Sequence, residues 1–283
     1  MANLLKGKCV ADAINEKSIA LVNELKNKNI TPTLATFRIG GNEADIAYES
    51  NINKRANNIG VKVINNVFDI NIEVDEFINE VNKANLDKNI HGILIFRHLP
   101  FNDELIRNLI VAEKDVDGSS SDSLAAIFTN TNKGFAPCTA EAAMKILDYY
   151  NIDLVGKNIV IIGRSLVVGK PLSMLLLNKN ATVTICHSKS KDIASISKKA
   201  DIVIAAIGKT EMLNKDYFSN KQTVIDVGIN YSVEKNKLCG DVLFEEVERV
   251  VENITPVPGG VGSVTNAILI NHVVLSAYKD IDL

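Results

Sequence analysis

The sequence predicts an α/β protein of two domains built on mostly parallel sheets. Three observations carry this. The chain has 283 residues, more than one hydrophobic core usually organises. Strand-length apolar runs alternate with amphipathic helical stretches along almost all of it. The runs HGILIFR (91–97) and NIVIIG (158–163) are nearly continuous in apolar character, as strands covered on both faces must be.

TPTLATFRIGG (31–41) reads as a strand with a glycine exit, and residues 42–59 read as a helix closed by Gly60. VKVINNVF (61–68) is the second strand, 73–85 a helix, and 91–97 the third strand. The helix DELIRNLI follows, then a polar, acidic loop, EKDVDGSSSDS (113–123). A second series starts after FAPCTAEA. It runs helix 139–150, strand 158–163, helix 170–178, strand 181–187, a helix near 192–199, and strands 201–208 and 223–230. The loop PVPGGVG (256–262) leads into a long apolar helix, 263–278. The domain boundary is expected near Pro137–Thr139, with the last helix returning to the first domain.

Composition narrows the function. A formal net charge of −3 argues against bulk binding to nucleic acid or an anionic membrane. No apolar run reaches the roughly 18 residues of a membrane span, and the N-terminus lacks the apolar core of a secretory signal. Cys9, Cys138, Cys186 and Cys239 form no CxxC and suit a reducing compartment. The four histidines (His91, His98, His187, His272) are dispersed, so no metal is expected.

NIVIIGRSLVVGKPLSMLL places a strand, Gly163, Gly169 and then a helix where a Rossmann fold meets pyrophosphate. Glycine permits close backbone approach, and the helix N-terminus offers N–H donors. Pro171 suits the first helical turn. An NAD site expects an acid after the second strand, to hold the ribose hydroxyl. Here that strand ends Cys186-His187-Ser188-Lys189-Ser190-Lys191, without an acid before Asp192. With Arg164 in the glycine loop, this favours the 2′-phosphate of NADP over NAD.

GRSLVVGKP, TVTICHSKS, VIDVGIN and ITPVPGGVG together resemble the methylenetetrahydrofolate dehydrogenase/cyclohydrolase family, the FolD type. PCT (137–139), KDVDG (114–118) and GILI…LP (92–100) extend the resemblance over essentially the whole chain. It implies a three-layer N-terminal folate domain (1–138 plus 263–283) and a Rossmann NADP domain (139–262) flanking a cleft. It also implies a cytoplasmic homodimer of one-carbon metabolism, acting on tetrahydrofolate derivatives. The implied reaction is oxidation of 5,10-methylenetetrahydrofolate to the 5,10-methenyl form with NADP, followed in most members by hydrolysis to 10-formyltetrahydrofolate.

Residue by residue, Gly163, Arg164, Ser165, Gly169 and Pro171 match the family's cofactor loop, and His187 and Ser188 the strand end near the 2′-phosphate. Gly208 and Ile229 match positions lining the cofactor. Gly259, Gly260, Val261, Gly262 and Thr265 match the loop between nicotinamide and folate, with Ser263 where the family usually has proline. Asp117 matches the aspartate that binds the pterin through its 2-amino group and N3.

Two positions depart. In IAYESNINKRAN (46–57), Tyr48 matches the tyrosine that flanks the pterin, Asp45 takes a serine position, and Ile52 stands where the family has its catalytic lysine. Helix geometry agrees: Ile52 lies ~40° from Tyr48 around the helix, and Lys54 ~120° away. Ala44, Tyr48, Ile52, Ala56 and Ile59 are expected as one inward stripe. The family strand GILVQLPLP reads GILIFRHLP here. Phe96 replaces the glutamine that partners the lysine, followed by Arg97 and His98. Dehydrogenase activity is therefore expected. Cyclohydrolase activity is expected to be weak, absent or rebuilt on Lys54, Arg97 or His98, with Arg97 alternatively contacting the glutamate tail of the folate. The competing readings are a nucleotide- or folate-binding regulatory protein with an impaired site, and a shikimate-type dehydrogenase, whose Lys/Asp pair is not found.

Overall fold

The computed structural model describes residues 1–97 and 99–279. In chain order the elements begin β1 (Asn3–Leu4), α1 (Gly7–Asn27), β2 (Thr33–Ile39), α2 (Glu43–Ile59), β3 (Lys62–Phe68), α3 (Val74–Leu86) and β4 (Gly92–Ile95). Then come α4 (Asp103–Arg107), α5 (Ser121–Thr129), α6 (Cys138–Tyr149), β5 (Asn158–Ile162), α7 (Gly169–Leu177), β6 (Thr182–Cys186), α8 (Ile193–Lys198) and β7 (Ile202–Ala205). The chain closes with β8 (Thr223–Asp226), β9 (Asn230–Ser232), β10 (Lys237–Cys239), α9 (Phe244–Val247), β11 (Asn253–Ile254) and α10 (Val261–Lys279). They form two compact units, one of residues 13–138 and 266–283, the other of 1–12 and 139–265.

The first unit is built on a three-stranded parallel sheet, β3–β2–β4. Central strand β2 is buried along its whole length. Its alternate residues serve opposite faces. Ala35, Phe37 and Ile39 join Phe77, Val81 and Ala84 of α3 in one core. Thr36 and Arg38 point the other way and bind the carboxylate of Glu49 on α2 at 3.2 Å each. The result is a helix–sheet–helix sandwich. Helix α10 supports this unit too: Asn271 Nδ2 donates to Ser18 Oγ at 3.0 Å, and Ser276 Oγ to the Glu113 carbonyl at 2.8 Å.

Helix α2 has local reasons for its limits. Asn42 Oδ1 accepts from Ala44 N, and Gly60 closes the helix in the left-handed conformation at φ 93°, its N–H on the Ala56 and Asn57 carbonyls. The buried face corrects the expected stripe. It consists of Glu49, Ile52, Ala56 and Ile59, whereas Ala44 is exposed and Tyr48 is 38% exposed. The apolar pattern missed Glu49 because its carboxylate is drawn inward by Arg38 and Thr36.

The second unit holds a six-stranded parallel sheet, ordered β1–β11–β8–β7–β5–β6. From β5 the chain winds one way to β6, then back across to β7 and β8, so the order reverses between β5 and β7. That is the switch point of a Rossmann-like sheet, where ligands bind at the carboxyl ends of strands. Residues 1–12 belong to this unit, not to the first domain as expected, because β1 pairs with β11.

Other differences are local. Strand β4 stops at Ile95 and β7 at Ala205, short of the expected ends. The expected strand 223–230 stops at Asp226; residues 230–232 pair instead with β10 in a two-stranded hairpin. Helices α1 and α5 were not expected. α1 buries Ala11, Ile14, Ser18, Val22 and Leu25, and α5 starts on the Ser120 side chain, which accepts from Ser123 N. By length and composition α10 could cross a membrane, but 61% of its apolar window is buried inside the protein.

Arg38 and Glu49 are a buried ion pair, with side chains only 10% and 9% exposed. Removing one partner of such a pair strands the other charge, at a cost of about 3–5 kcal/mol. Glu49→Ala is expected to lower stability by that amount in urea unfolding; a loss under about 1 kcal/mol would match a surface pair instead.

Candidate active site

In the first unit, α2 and the end of β4 bring Tyr48 and Phe96 together. Their rings meet edge to face, centroids 5.7 Å apart. Phe96 keeps one ladder bond, its N–H to the Phe37 carbonyl at 2.9 Å, and is 6% exposed. The chain then turns out, and Arg97 Nη2 donates to Asp117 Oδ2 at 3.1 Å. Tyr48, Phe96, Arg97 and Asp117 thus lie together, with Arg97 on Asp117. His98 lies outside the described residues.

The electrostatics of this constellation are specific. The Tyr48 hydroxyl is held well above its ordinary pKa, first by burial around the oxygen and then by the Asp117 carboxylate. It is a neutral phenol that can donate or accept but not act as a base near neutrality. Burial also raises Asp117, against the opposing pull of Arg97. Asp115, fully buried, serves the structure instead. Its two oxygens accept from Ser119 N and Ser120 N at 3.1 and 2.7 Å, shaping the loop that carries Asp117.

Ile52 is fully buried. Lys54 is exposed on the far side of α2 and is not brought to the constellation. Arg55 Nε donates to Asn51 Oδ1 at 3.1 Å, along its own helix.

In the second unit, the carboxyl ends of β5 and β7 form a cradle that tolerates no extra carbon. A Cβ on Gly163 (φ 136°) would stand 2.1 Å from the Ala206 carbonyl oxygen. One on Gly169 would stand 2.2 Å from the Gly163 oxygen. Within the loop Ser165 Oγ accepts from Val168 N at 3.1 Å, while Arg164 is exposed. This is the shape a phosphate needs at the start of a helix, so the residues present fit a dinucleotide.

After β6, Ser190 Oγ accepts from His187 N at 3.0 Å, and His187 Nδ1 accepts from Lys189 N at 3.1 Å. Ser188 is exposed. Gly208 (φ 71°) follows β7. Ile229 packs on the glycine-rich loop: a Cβ at Gly262 would lie 2.5 Å from Ile229 Cδ1. In that loop the Gly259 carbonyl accepts from Gly7 N at 2.8 Å, and a Cβ on Gly7 would stand 2.1 Å from Gly260 O. Thr265 Oγ1 donates to the Val261 carbonyl at 3.3 Å. Among the described residues, no three His, Cys, Asp or Glu side chains gather as a metal site.

Comparison with known proteins agrees with this anatomy. Residues 5–117 match the catalytic domain of tetrahydrofolate dehydrogenase/cyclohydrolase, and residues 137–281 match its NAD(P)-binding domain. The chain belongs to the tetrahydrofolate dehydrogenase/cyclohydrolase family. It is 48% identical to the bifunctional protein FolD of Clostridium botulinum (strain Hall), over 99% of this chain and 100% of that one. The FolD crystal structure from Campylobacter jejuni superposes with a TM-score of 0.96 at 39% identity, covering 99% of this chain and 100% of that one. The Trypanosoma brucei FolD structure, complexed with NADP cofactor and inhibitor, gives 0.92 at 29% identity, covering 100% of this chain and 99% of that one.

Sequence reasoning missed two acids of this family member's second unit, Asp226 and Asp241. Both are buried, at 3% and 0% exposed. Asp226 accepts from Gly228, Asp241 and Val242 N–H groups at 2.9–3.1 Å. Those donors favour its charged form, yet burial wins and its pKa is pushed up to about 7. The proton then binds the folded chain more tightly than the unfolded one, so this group's stabilisation is complete below about pH 4 and lost as pH rises through about 7. The melting temperature of wild type relative to Asp226→Asn should fall across that window and be level above it. A difference that rises with pH there would contradict the assignment.

Proposed function

We propose that this chain oxidises 5,10-methylenetetrahydrofolate to 5,10-methenyltetrahydrofolate with NADP, and that the hydrolysis which usually follows is weak or absent. The glycine cradle at the switch point carries the first part: Gly163 and Gly169 let the backbone close tightly at the start of α7, the shape in which a dinucleotide phosphate is held. The names of the relatives support it: they are bifunctional FolD proteins, and one was solved with NADP.

Bound NADP would supply the hydride acceptor. Gly163, Arg164, Ser165, Gly169 and the α7 N-terminus would hold its phosphates, and His187 and Ser188 with Arg164 would face the 2′-phosphate. Gly208, Ile229 and Thr265 would line its course, and Gly259 and Gly260, in the loop between nicotinamide and folate, would contact the substrate. Asp117 would accept hydrogen bonds from the pterin, and Tyr48 would flank it. Oxidation leaves a cation delocalised over two substrate nitrogens, so no side chain has to take a proton. Orientation is what the protein must supply, an effect worth up to roughly 7–11 kcal/mol.

Hydrolysis asks for more. Water must attack and protons must move as the ring opens, a step to which a placed acid or base contributes about 10²–10⁴-fold. Ile52 and Phe96 carry no transferable proton. Tyr48 stays neutral and Asp117 is paired with Arg97. Lys54 is the remaining candidate from α2, on its exposed side.

We also propose a cytoplasmic homodimer formed through the Rossmann unit. Its β9–β10 hairpin exposes Tyr231 (57%), Val233 (85%) and Leu238 (43%), apolar surface of the kind that partners cover.

NADPH should form when purified protein meets methylenetetrahydrofolate and NADP. Asp117→Ala should raise the KM for folate by roughly tenfold or more, and Lys54→Ala should leave the rate unchanged. A protein that binds both ligands but forms no NADPH would instead support the regulatory-protein reading.

A further inference from the structure

We infer that Asp241 is a positioning residue for the cofactor pocket: its buried carboxylate holds the loop after β7 that forms one wall of the switch-point crevice. The inference rests on the dinucleotide reading proposed above.

The geometry is unusually complete. Asp241 Oδ2 accepts from Ile207 N at 2.6 Å and from Gly208 N at 3.0 Å. Its Oδ1 accepts from Lys209 N at 2.9 Å and from Asn230 Nδ2 at 2.9 Å. Three consecutive backbone N–H groups make a concavity of the kind that binds phosphates and other anions. Here the chain's own carboxylate fills it. The loop is therefore not a phosphate site; it is a wall whose donors are already used. The same loop begins at Ala206, whose carbonyl packs on Gly163 of the cofactor cradle.

Asp241 is itself held from two sides. Its N–H, and that of Val242, donate to the Asp226 carboxylate at the end of β8, at 3.1 and 2.9 Å. Its carbonyl accepts from Leu213 N at 2.9 Å. Two glycines make room for the carboxylates. A Cβ on Gly228 would stand 2.3 Å from Asp241 Oδ1, and one on Gly240 1.9 Å from Asp226 Oδ2. The ends of β7 and β8, which carry Gly208 and Ile229, are thus tied through one side chain: Asp241 grips the loop after β7 directly and Asn230, next to Ile229, through its amide.

The test uses the full chain with Asp241→Asn and Asp241→Ala. D241N can keep an oxygen on Ile207 and Gly208 and turn its amide nitrogen toward a flipped Asn230, but that nitrogen then opposes the Lys209 N–H that Oδ1 accepted; the alanine variant keeps nothing. NADPH affinity, read by fluorescence titration, should fall by roughly tenfold in D241N and roughly a hundredfold in D241A. The KM for methylenetetrahydrofolate should not change in either. A general loss of structure would give another pattern, a lower kcat from fewer folded molecules with both affinities intact, and that result would overturn the inference. So would wild-type NADPH affinity in folded variants. Should D241A not fold, D241N decides alone. A wild-type chain that fails to bind NADPH would bring down the dinucleotide reading and this inference with it, whereas a normal wild type with unaltered variants brings down the inference only.

Discussion

The buried ion pair between Arg38 and Glu49 decides which face α2 presents to its sheet, and the side chains available beside Tyr48 follow from that choice. A charged pair in a protein interior is an expensive contact, since both ions lose their water. It is therefore selective: only one rotation of α2 keeps Glu49 within reach of Thr36 and Arg38. That rotation buries Ile52, leaves Tyr48 at the rim against Phe96, and turns Lys54 to solvent. A lysine one turn beyond Tyr48 would stand near the aromatic pair. The isoleucine that occupies the position joins the core instead.

The cofactor half rests on a different constraint, close backbone packing. Gly163 lies so near the Ala206 carbonyl that any side chain would force β5 and β7 apart. Asp241 then fixes the loop beyond Ala206, and Asp226 fixes Asp241. Backbone groups and two carboxylates thus join cradle and wall, above the apolar core that Ile162, Ala205, Val224 and Val242 share. Such a scaffold is stiff where a cofactor needs a fixed seat, and it depends on groups that must remain desolvated.

Much of this was legible in the sequence. The strand–glycine–helix run at 158–178 pointed to the cradle, although two glycines at such a junction also suit a merely structural turn; the cation- and hydroxyl-bearing end of the next strand strengthened the dinucleotide reading. The apolar period of 42–59 placed Ile52 inward correctly. What escaped were polar side chains acting inside the protein. Glu49 reads as a surface residue, since its partner Arg38 sits on another element and no local period links the two. Asp241 lies in a short, irregular stretch whose importance appears only when β7 and β8 are side by side. Helix α1 is faint in the sequence because Ser18, buried and bonded to the Ile14 carbonyl, interrupts its apolar stripe. Helix α5 was hidden in a loop-like composition, although Ser120 is its cap.

By the function proposed above, one site keeps the orientation needed for oxidation and has lost the proton transfer needed for hydrolysis. The most direct measurement follows methenyltetrahydrofolate itself, by its near-UV absorbance, while the enzyme turns over methylenetetrahydrofolate and NADP. The methenyl compound is predicted to accumulate in step with NADPH and then to decay at the rate of buffer alone. Decay that depends on enzyme concentration and keeps pace with NADPH formation would contradict that division of activities.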